Sequence, residues 1–400
     1  MDESPHLAAR MEGGELPPLA RPLLTNRDET TVGFSHDWTP SHVKVAANLT
    51  LDAAFVPASA NVRDLGSLPG APRGCRASVS RVVALDGLID ETALRWIRER
   101  LGVDAEDEQT ALGVRPRDSL WERRTADDAL AKPTYGLRKE SMDRLVRTMT
   151  QREEGVEPTT GGLDEFHARL RALYPDWIVC HMPADALRAG DDDDDDDDDE
   201  ASEKFDDFDE RFRTSKERFQ CDAFVANAAV HGDEYRWHLD ADPSSFPDSC
   251  AWVRTYGDHV NGEPGKPLFV SAVVYVNSEW NENDWGGETH FMDVGSGIGA
   301  TVRPRPGRVV LMDQDVTHRV SPPTRAAGGR ARFSFVYKLV FFPKKGDDAD
   351  AALWERGIAR PEWGPPSPIG SAAKLAAIVN AASWRARQRR GGVKREREQE

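Results

Sequence analysis

Two kinds of apolar periodicity divide the chain. Between residues 90 and 173, apolar positions recur three and four apart. Leu94, Ile97 and Leu101 predict a helix over 91–101, and Asp90 just before it can accept from backbone N–H groups left open in the first turn. Met142, Leu145, Val146 and Met149 form a second stripe within 139–149, and a third helix is predicted from about Leu163 to Leu173. Stripes of this kind pack a helix onto a core. From residue 223 the pattern changes to short β-favouring runs broken by turn signals. The runs are 223–231, Phe269–Val276, Arg308–Met312, Thr317–Val320 and Arg332–Phe342; Gly232-Asp233, Gly286-Gly287 and Pro306-Gly307 punctuate them. Short strands at this density predict a jelly-roll-like double sheet rather than a parallel one. The expected class is α+β, with N-terminal helices supporting the jelly roll.

Composition sets the flanks apart. Residues 1–75 are rich in Pro, Ala and charge without periodicity, and are expected to be a flexible N-terminal extension. Residues 76–188 are the helix-rich part, 216–345 the β-rich part, and 346–400 a C-terminal extension. The last contains an Ala-rich helix candidate over 372–382 and a basic tail from Trp384 to Arg395. Between the two folded parts, 189–215 contains the run Asp191–Asp199 followed by Glu200, expected to be a disordered insertion because like charges repel and stay solvated. A docking tract for a basic partner or a divalent cation is its other reading. The basic tail reads first as solvated, and otherwise as a nucleic-acid contact, a nuclear signal or a contact for the acidic tract.

Charge and cysteine usage exclude some functions. Acidic residues number 69 against 52 basic ones, a net charge of −17, which argues against a general nucleic-acid-binding surface. Cys75, Cys180, Cys221 and Cys250 are far apart and make no CxxC pair, so neither a zinc module nor a dense disulfide framework is expected. The N-terminus lacks the basic and apolar regions of a signal peptide, and no apolar run reaches the length of a membrane span. The protein is therefore expected to be intracellular and cytoplasmic, with no membrane contact. The basic tail leaves a nuclear location open.

The candidate chemistry lies in His238-Leu239-Asp240, His318 and Arg332-Phe333-Ser334. Two imidazoles and one carboxylate are the ligand set of a mononuclear non-haem Fe(II) site with open positions opposite. Residues i and i+2 of a strand face one way, so His238 and Asp240 can share a metal. By the same rule Arg332 and Ser334 can grip one carboxylate, the arginine through a bidentate pair. The combination suggests an oxygenase that depends on 2-oxoglutarate. Arg330 would lie on the same strand face and competes with Arg332. The following serine favours Arg332.

The stretch from about Asp222 to Phe342 resembles the catalytic domain of Fe(II)/2-oxoglutarate dioxygenases of the prolyl 4-hydroxylase-like branch. The matching pieces are His238-Leu-Asp240, Gly286-Gly-Glu-Thr289, Pro304-Arg-Pro-Gly-Arg308, His318-Arg-Val-Ser-Pro322 and Arg332-Phe-Ser334. Upstream, residues 82–91 and the helix after them look like the first strand and supporting helix of that family. The resemblance implies a double-stranded β-helix, with His238, Asp240 and His318 on iron. It implies that Arg332 binds the distal carboxylate of 2-oxoglutarate, with Ser334 beside it. One departure is that Asn227-Ala-Ala stands where the family places a tyrosine for the co-substrate, so that contact is absent or comes from Tyr235 or Tyr275.

The resemblance further implies O2 consumption, release of succinate and CO2, ascorbate as the reductant that restores iron, and hydroxylation of a prolyl or other residue of a peptide or protein. Two other readings stay open. One is an oxidative demethylase of nucleic acid, whose repeated basic residues on the last strand Arg332 and Lys338 loosely echo, against the acidic balance of the chain. The other is a catalytically silent interaction protein. Trp237, Asp242, His290 and Asp315 are candidate supports for the ligands, with ordinary packing or turn roles as the alternative. His231 and His290 are further histidines near the site. Trp237, Trp252, Trp280 and Trp285 either line a peptide groove or fill the core.

Overall fold

The computed structural model describes residues 16–23, 38–46, 49–51, 82–103, 116, 118–124, 133–150, 162–175, 177–188, 223–263, 265–293, 298–344, 380, 381 and 384. The first half runs β1 (Arg21–Pro22), β2 (Lys44–Val45), β3 (Leu49–Leu51), β4 (Val82–Asp86), α1 (Glu91–Leu101), β5 (Trp121–Arg124), β6 (Thr134–Leu137), α2 (Lys139–Thr150), α3 (Gly162–Leu173) and β7 (Trp177–His181). The second half runs β8 (Phe224–Ala229), α4 (Ala251–Tyr256), β9 (Leu268–Tyr275), β10 (Thr289–Asp293), β11 (Ile298–Val302), β12 (Val309–Asp313), β13 (Thr317–Val320) and β14 (Arg332–Pro343). The major sheet has the order β2-β4-β12-β9-β14-β8-β6-β5, with β7 also on β14 and β1 on β7. The minor sheet has the order β13-β10-β11-β3, and all the pairs are antiparallel.

The two sheets close on each other as a double-stranded β-helix. Val82 and Ala84 of β4, Val273 and Tyr275 of β9, Val310 and Met312 of β12 and Val336 of β14 pack with Phe291, Ala300 and Val302 of the minor sheet. The alternate residues of the same strands point the other way. Val270, Ala272, Val274, Val309 and Leu311 share a core with Leu94, Ile97 and Leu101 of α1, Leu145 of α2 and Phe166 and Leu170 of α3. The major sheet is thus buried on both faces, which is why its strands read as continuous apolar runs.

β14 is the spine of this arrangement. β9 pairs along one edge, while β8 and then β7 share the other. All of its residues are buried, with Arg332, Ser334, Val336 and Lys338 facing into the barrel. On the opposite face, Phe333, Phe335, Tyr337, Leu339 and Phe341 join the helix-covered core. Such side chains contribute about 1.5–3 kcal/mol each, which offsets the several kcal/mol that each buried cation on the inner face costs.

The helices stand where the apolar stripes predict them. Asp90 accepts from the Ala93 N–H at 2.8 Å, and α1 ends at Gly102 with φ 63°. Met142 and Leu145 are buried; the side chains of Val146 and Met149 lie outside the described residues. Within 1–75, expected to be a mostly flexible extension, β1 pairs with β7, β2 with β4 and β3 with β11. Two or three residues are too few to show a period of two. The acidic run 189–215 lies outside the described residues, as does the C-terminal extension after Lys344 apart from 380, 381 and 384. Among the described residues, no helix is long and apolar enough to cross a membrane.

Candidate active site

His238 reaches the site after β8 and the turn at Gly232, and it meets β13 through one bridge rather than a continuous strand. His238 and His318 exchange both backbone hydrogen bonds, each 3.0 Å. Two residues on, Asp240 N–H donates to the Gln314 carbonyl at 2.8 Å. This anchoring keeps the i, i+2 alternation without a regular strand, so the side chains of His238, Asp240 and His318 converge. Their ligand atoms lie within 4.8 Å of one another, close enough for one ion to draw on all three.

Local hydrogen bonds prepare both rings. The Nδ1 of His238 is 2.9 Å from the Arg236 carbonyl, and the Nδ1 of His318 is 2.9 Å from the Val316 carbonyl. A carbonyl can only accept, so each Nδ1 carries the proton and each Nε2 keeps its lone pair for a metal. Burial, partly countered by the Asp240 charge, lowers the His318 pKa to about 4, so that ring is neutral at physiological pH.

The Asp240 side chain is only 10% exposed. Burial pushes its carboxyl upward, but Lys338 and His318, with the Ser271 hydroxyl, pull it well below the usual carboxylate range. Ser271 donates to Oδ2 at 2.6 Å and Lys338 forms an ion pair with the same oxygen, while Oδ1 lies 3.9 Å from Nε2 of His318. Two imidazoles with Nε2 free to face a metal and one carboxylate thus form a donor set that fits a divalent first-row metal.

Arg332 opens a second part of the site. It is 1% exposed, its guanidinium lies 4.8 Å from the Tyr275 ring centre, and its one hydrogen bond goes to the Thr289 hydroxyl at 3.3 Å. The Tyr275 hydroxyl meets the same Thr289 oxygen at 2.7 Å. Nε of Arg332 has no hydrogen-bond partner, and no ion pair reaches the guanidinium among the described residues. The Tyr235 hydroxyl is likewise buried without a partner in hydrogen-bonding geometry, with Thr134, Asp233 and Arg332 as neighbours. Burial raises its pKa strongly. A buried guanidinium with unused donors fits a carboxylate ligand. Ser334 is buried one alternation further along β14, opposite Tyr275 in the β9 register.

The structure separates the two arginines. Alternation along one strand would have placed them together, but β14 begins at Arg332. Arg330 closes the turn formed by Gly328 and Gly329, both at positive φ. It lies near the surface against Trp285, with its Nε 3.7 Å from Glu279. Gly287 covers Arg332 from the other side. Its φ is +76°, and a Cβ there would stand 3.3 Å from Cγ and Cδ of Arg332.

The candidate supports take ordinary roles. Asp242 caps a short turn by accepting from Ser244, Asp315 accepts from Asn261, and His290 Nδ1 contacts the Thr301 hydroxyl. His231 Nδ1 contacts the Pro323 carbonyl. Trp252 is core and Trp280 is buried, edge-on to Trp285, whereas Trp237 is exposed beneath Arg319. The groups that hold the ligands are instead two backbone carbonyls together with Ser271 and Lys338. Sequence spacing carries no sign of the last two, because only sheet register brings them to Asp240.

Residues 224–337 match the family model of the 2OG-Fe(II) oxygenase superfamily. Over that stretch the chain is similar to 2OG-Fe(II) oxygenases. The matching family implies Fe(II) and 2-oxoglutarate, and the matched stretch contains a donor set and a buried guanidinium that fit them. A prolyl-4-hydroxylase from Pseudomonas putida is similar at 25% identity over 31% of this chain and 52% of its own, with a TM-score of 0.19. A prolyl hydroxylase from Trichoplax adhaerens, solved with a hypoxia inducible factor oxygen degradation domain peptide fragment, is similar at 18% identity over 30% of this chain and 43% of its own, with a TM-score of 0.20. The chain therefore spans about half the length of the solved structures it matches, and likenesses this slight carry no argument about substrate. No curated protein matches.

Proposed function

We propose that the oxygenase domain hydroxylates a residue of a peptide or protein, in the manner of the prolyl 4-hydroxylase-like branch. His238, Asp240 and His318 would hold Fe(II), while Arg332, with Ser334 and Tyr275 beside it, would hold 2-oxoglutarate. The observation that carries the reading is the convergence of the triad and a buried guanidinium without a carboxylate partner among the described residues on the inner face of one barrel. Bound iron would supply O2 activation coupled to conversion of 2-oxoglutarate to succinate and CO2, and ascorbate would restore ferrous iron after uncoupled turnovers.

The chain's own residues have separable tasks in this reaction. The carbonyls of Arg236 and Val316 hold the protons on Nδ1, which leaves both Nε2 atoms free to bind a metal. Lys338 and Ser271 keep Asp240 anionic and oriented. Arg332, held by the Thr289 hydroxyl that also meets Tyr275, would neutralise the distal carboxylate of 2-oxoglutarate. Trp280 and Gly287 cover the arginine and exclude water from that end.

The other end is open. His238 is exposed while Asp240 and His318 are largely buried, so a C–H bond still embedded in a polymer can approach the metal. The net charge of −17 favours peptide over nucleic acid as that polymer.

The test is succinate formation from 2-oxoglutarate in air with Fe(II) and ascorbate, comparing wild type with His318→Ala. Triad-dependent succinate, then a gain of one oxygen on peptides in a proline-centred library, is the expected result. Triad-dependent oxidation of methylated oligonucleotides instead would replace the peptide reading. Failure of the wild type to bind both Fe(II) and 2-oxoglutarate would overturn the enzyme reading.

A further inference from the structure

We infer that Lys338 is a positioning residue of the metal centre. With Ser271 it occupies one oxygen of Asp240, leaves the other as the sole metal-directed oxygen, and biases bound iron toward its ferrous state. The inference rests on the reading of His238, Asp240 and His318 as metal ligands.

Lys338 lies six residues beyond Arg332 on the inner face of β14, and it is 9% exposed. Its ammonium forms an ion pair with Oδ2 of Asp240 and lies 3.3 Å from the Ser271 hydroxyl, which donates to the same Oδ2 at 2.6 Å. Oδ2 therefore accepts from two donors on two adjacent strands, β9 and β14, which pair Lys338 with Ser271 in register. Oδ1 lies on the side of His318, 3.9 Å from its Nε2. An oxygen already accepting a charge-assisted bond and a hydroxyl bond has little lone-pair density left for a cation. Bidentate coordination by Asp240 is thereby blocked, and one more position on the ion stays open for exogenous ligands.

The ammonium has a second effect. It offsets the negative charge that Asp240 brings to the metal. A nearby positive charge disfavours a trivalent ion more than a divalent one, because the repulsion scales with the ion's charge. One-electron reduction of Fe(III) to Fe(II) at this site is therefore made more favourable. A lysine that only neutralised a buried carboxylate, without occupying Oδ2, would leave the coordination number of the metal unchanged on its removal.

The experiment compares the wild-type 400-residue chain with Lys338→Met, Lys338→Arg and Ser271→Ala. Each is loaded anaerobically with Co(II) alone or Fe(II) alone. In Lys338→Met the Co(II) d–d absorption is expected to weaken as Asp240 becomes bidentate and the coordination number rises. The Fe(III)/Fe(II) midpoint potential is expected to fall, with several-fold faster oxidation of bound Fe(II) in air. Lys338→Arg restores the potential, and Ser271→Ala moves the Co(II) spectrum in the same direction by less. A folded Lys338→Met with wild-type spectrum and potential overturns the proposal. Should that variant not fold, an unchanged Co(II) spectrum in Ser271→Ala overturns it equally. A wild type that takes up no Co(II) at the triad overturns the metal reading itself, an outcome distinct from metal uptake that is indifferent to Lys338.

Discussion

Replacing Arg332 by methionine should have two effects of opposite sign. The guanidinium is 1% exposed, stacks over Tyr275, and makes one long hydrogen bond, to Thr289 at 3.3 Å. Its Nε has no partner, and no carboxylate among the described residues pairs with it. Without co-substrate, then, the protein holds a desolvated cation that little compensates, and an apolar side chain of similar volume should stabilise it by about 1–3 kcal/mol. With co-substrate, the lost charge-assisted pair should weaken 2-oxoglutarate binding by about 2–5 kcal/mol, roughly thirty-fold to several thousand-fold in Kd. Urea unfolding of the ligand-free protein measures the first effect, and calorimetric titration of 2-oxoglutarate into the Mn(II)-loaded protein measures the second. Arg330→Met is the control, because Arg330 is near the surface and should change each quantity by less than about 1 kcal/mol. If Arg332→Met destabilises the free protein and leaves 2-oxoglutarate affinity intact, the arginine is a structural cation and the co-substrate reading fails.

Three further outcomes test other parts of the site. Asp240→Ala should abolish Fe(II) binding and cost about 3 kcal/mol of stability by stranding Lys338, while circular dichroism stays native; retained Fe(II) affinity removes Asp240 from the triad. His318 has a folded pKa of about 4 against about 6.5 when unfolded, so below 6.5 the unfolded chain binds more protons. Its contribution to metal-free stability is complete above pH 6.5 and fades toward pH 4 at about 1.4 kcal/mol per unit, so urea curves for wild type and His318→Gln should converge as pH falls; parallel curves refute the assignment. Gly287→Ala places a Cβ at φ +76° against Arg332 and Trp280, which should cost about 1–2 kcal/mol and weaken 2-oxoglutarate more than Fe(II), as separate titrations of the two would report.

How far the site could be read from sequence depends on how each residue reaches it. His238 and Asp240 were legible because a period of two needs no knowledge of the fold, and one bridge to His318 is enough to enforce it. The helices were legible because stripe and cap are local, as Asp90 and Gly102 illustrate. Arg332 and Arg330 were not separable, because the choice turns on where β14 begins, and that is set by a two-glycine turn and by pairing with β8 and β9. β1 to β3 left no periodic trace because they are only two or three residues long.

Lys338 is the furthest from local reading. Its side chain finds Asp240 only because β14 and β9 pair in one register, Lys338 beside Ser271, while Asp240 is fixed to Gln314 on the loop after β12. Shifting that register by one residue would turn Lys338 and Arg332 outward together and bring Tyr337 and Phe333 inward. The apolar core beneath the helices holds the register against such a slip, because the slip would drive Arg332 and Lys338 into it without partners, at several kcal/mol each. The helical layer thus has a chemical consequence as well as a structural one, since it fixes both cations of β14 on the face that contains the metal ligands.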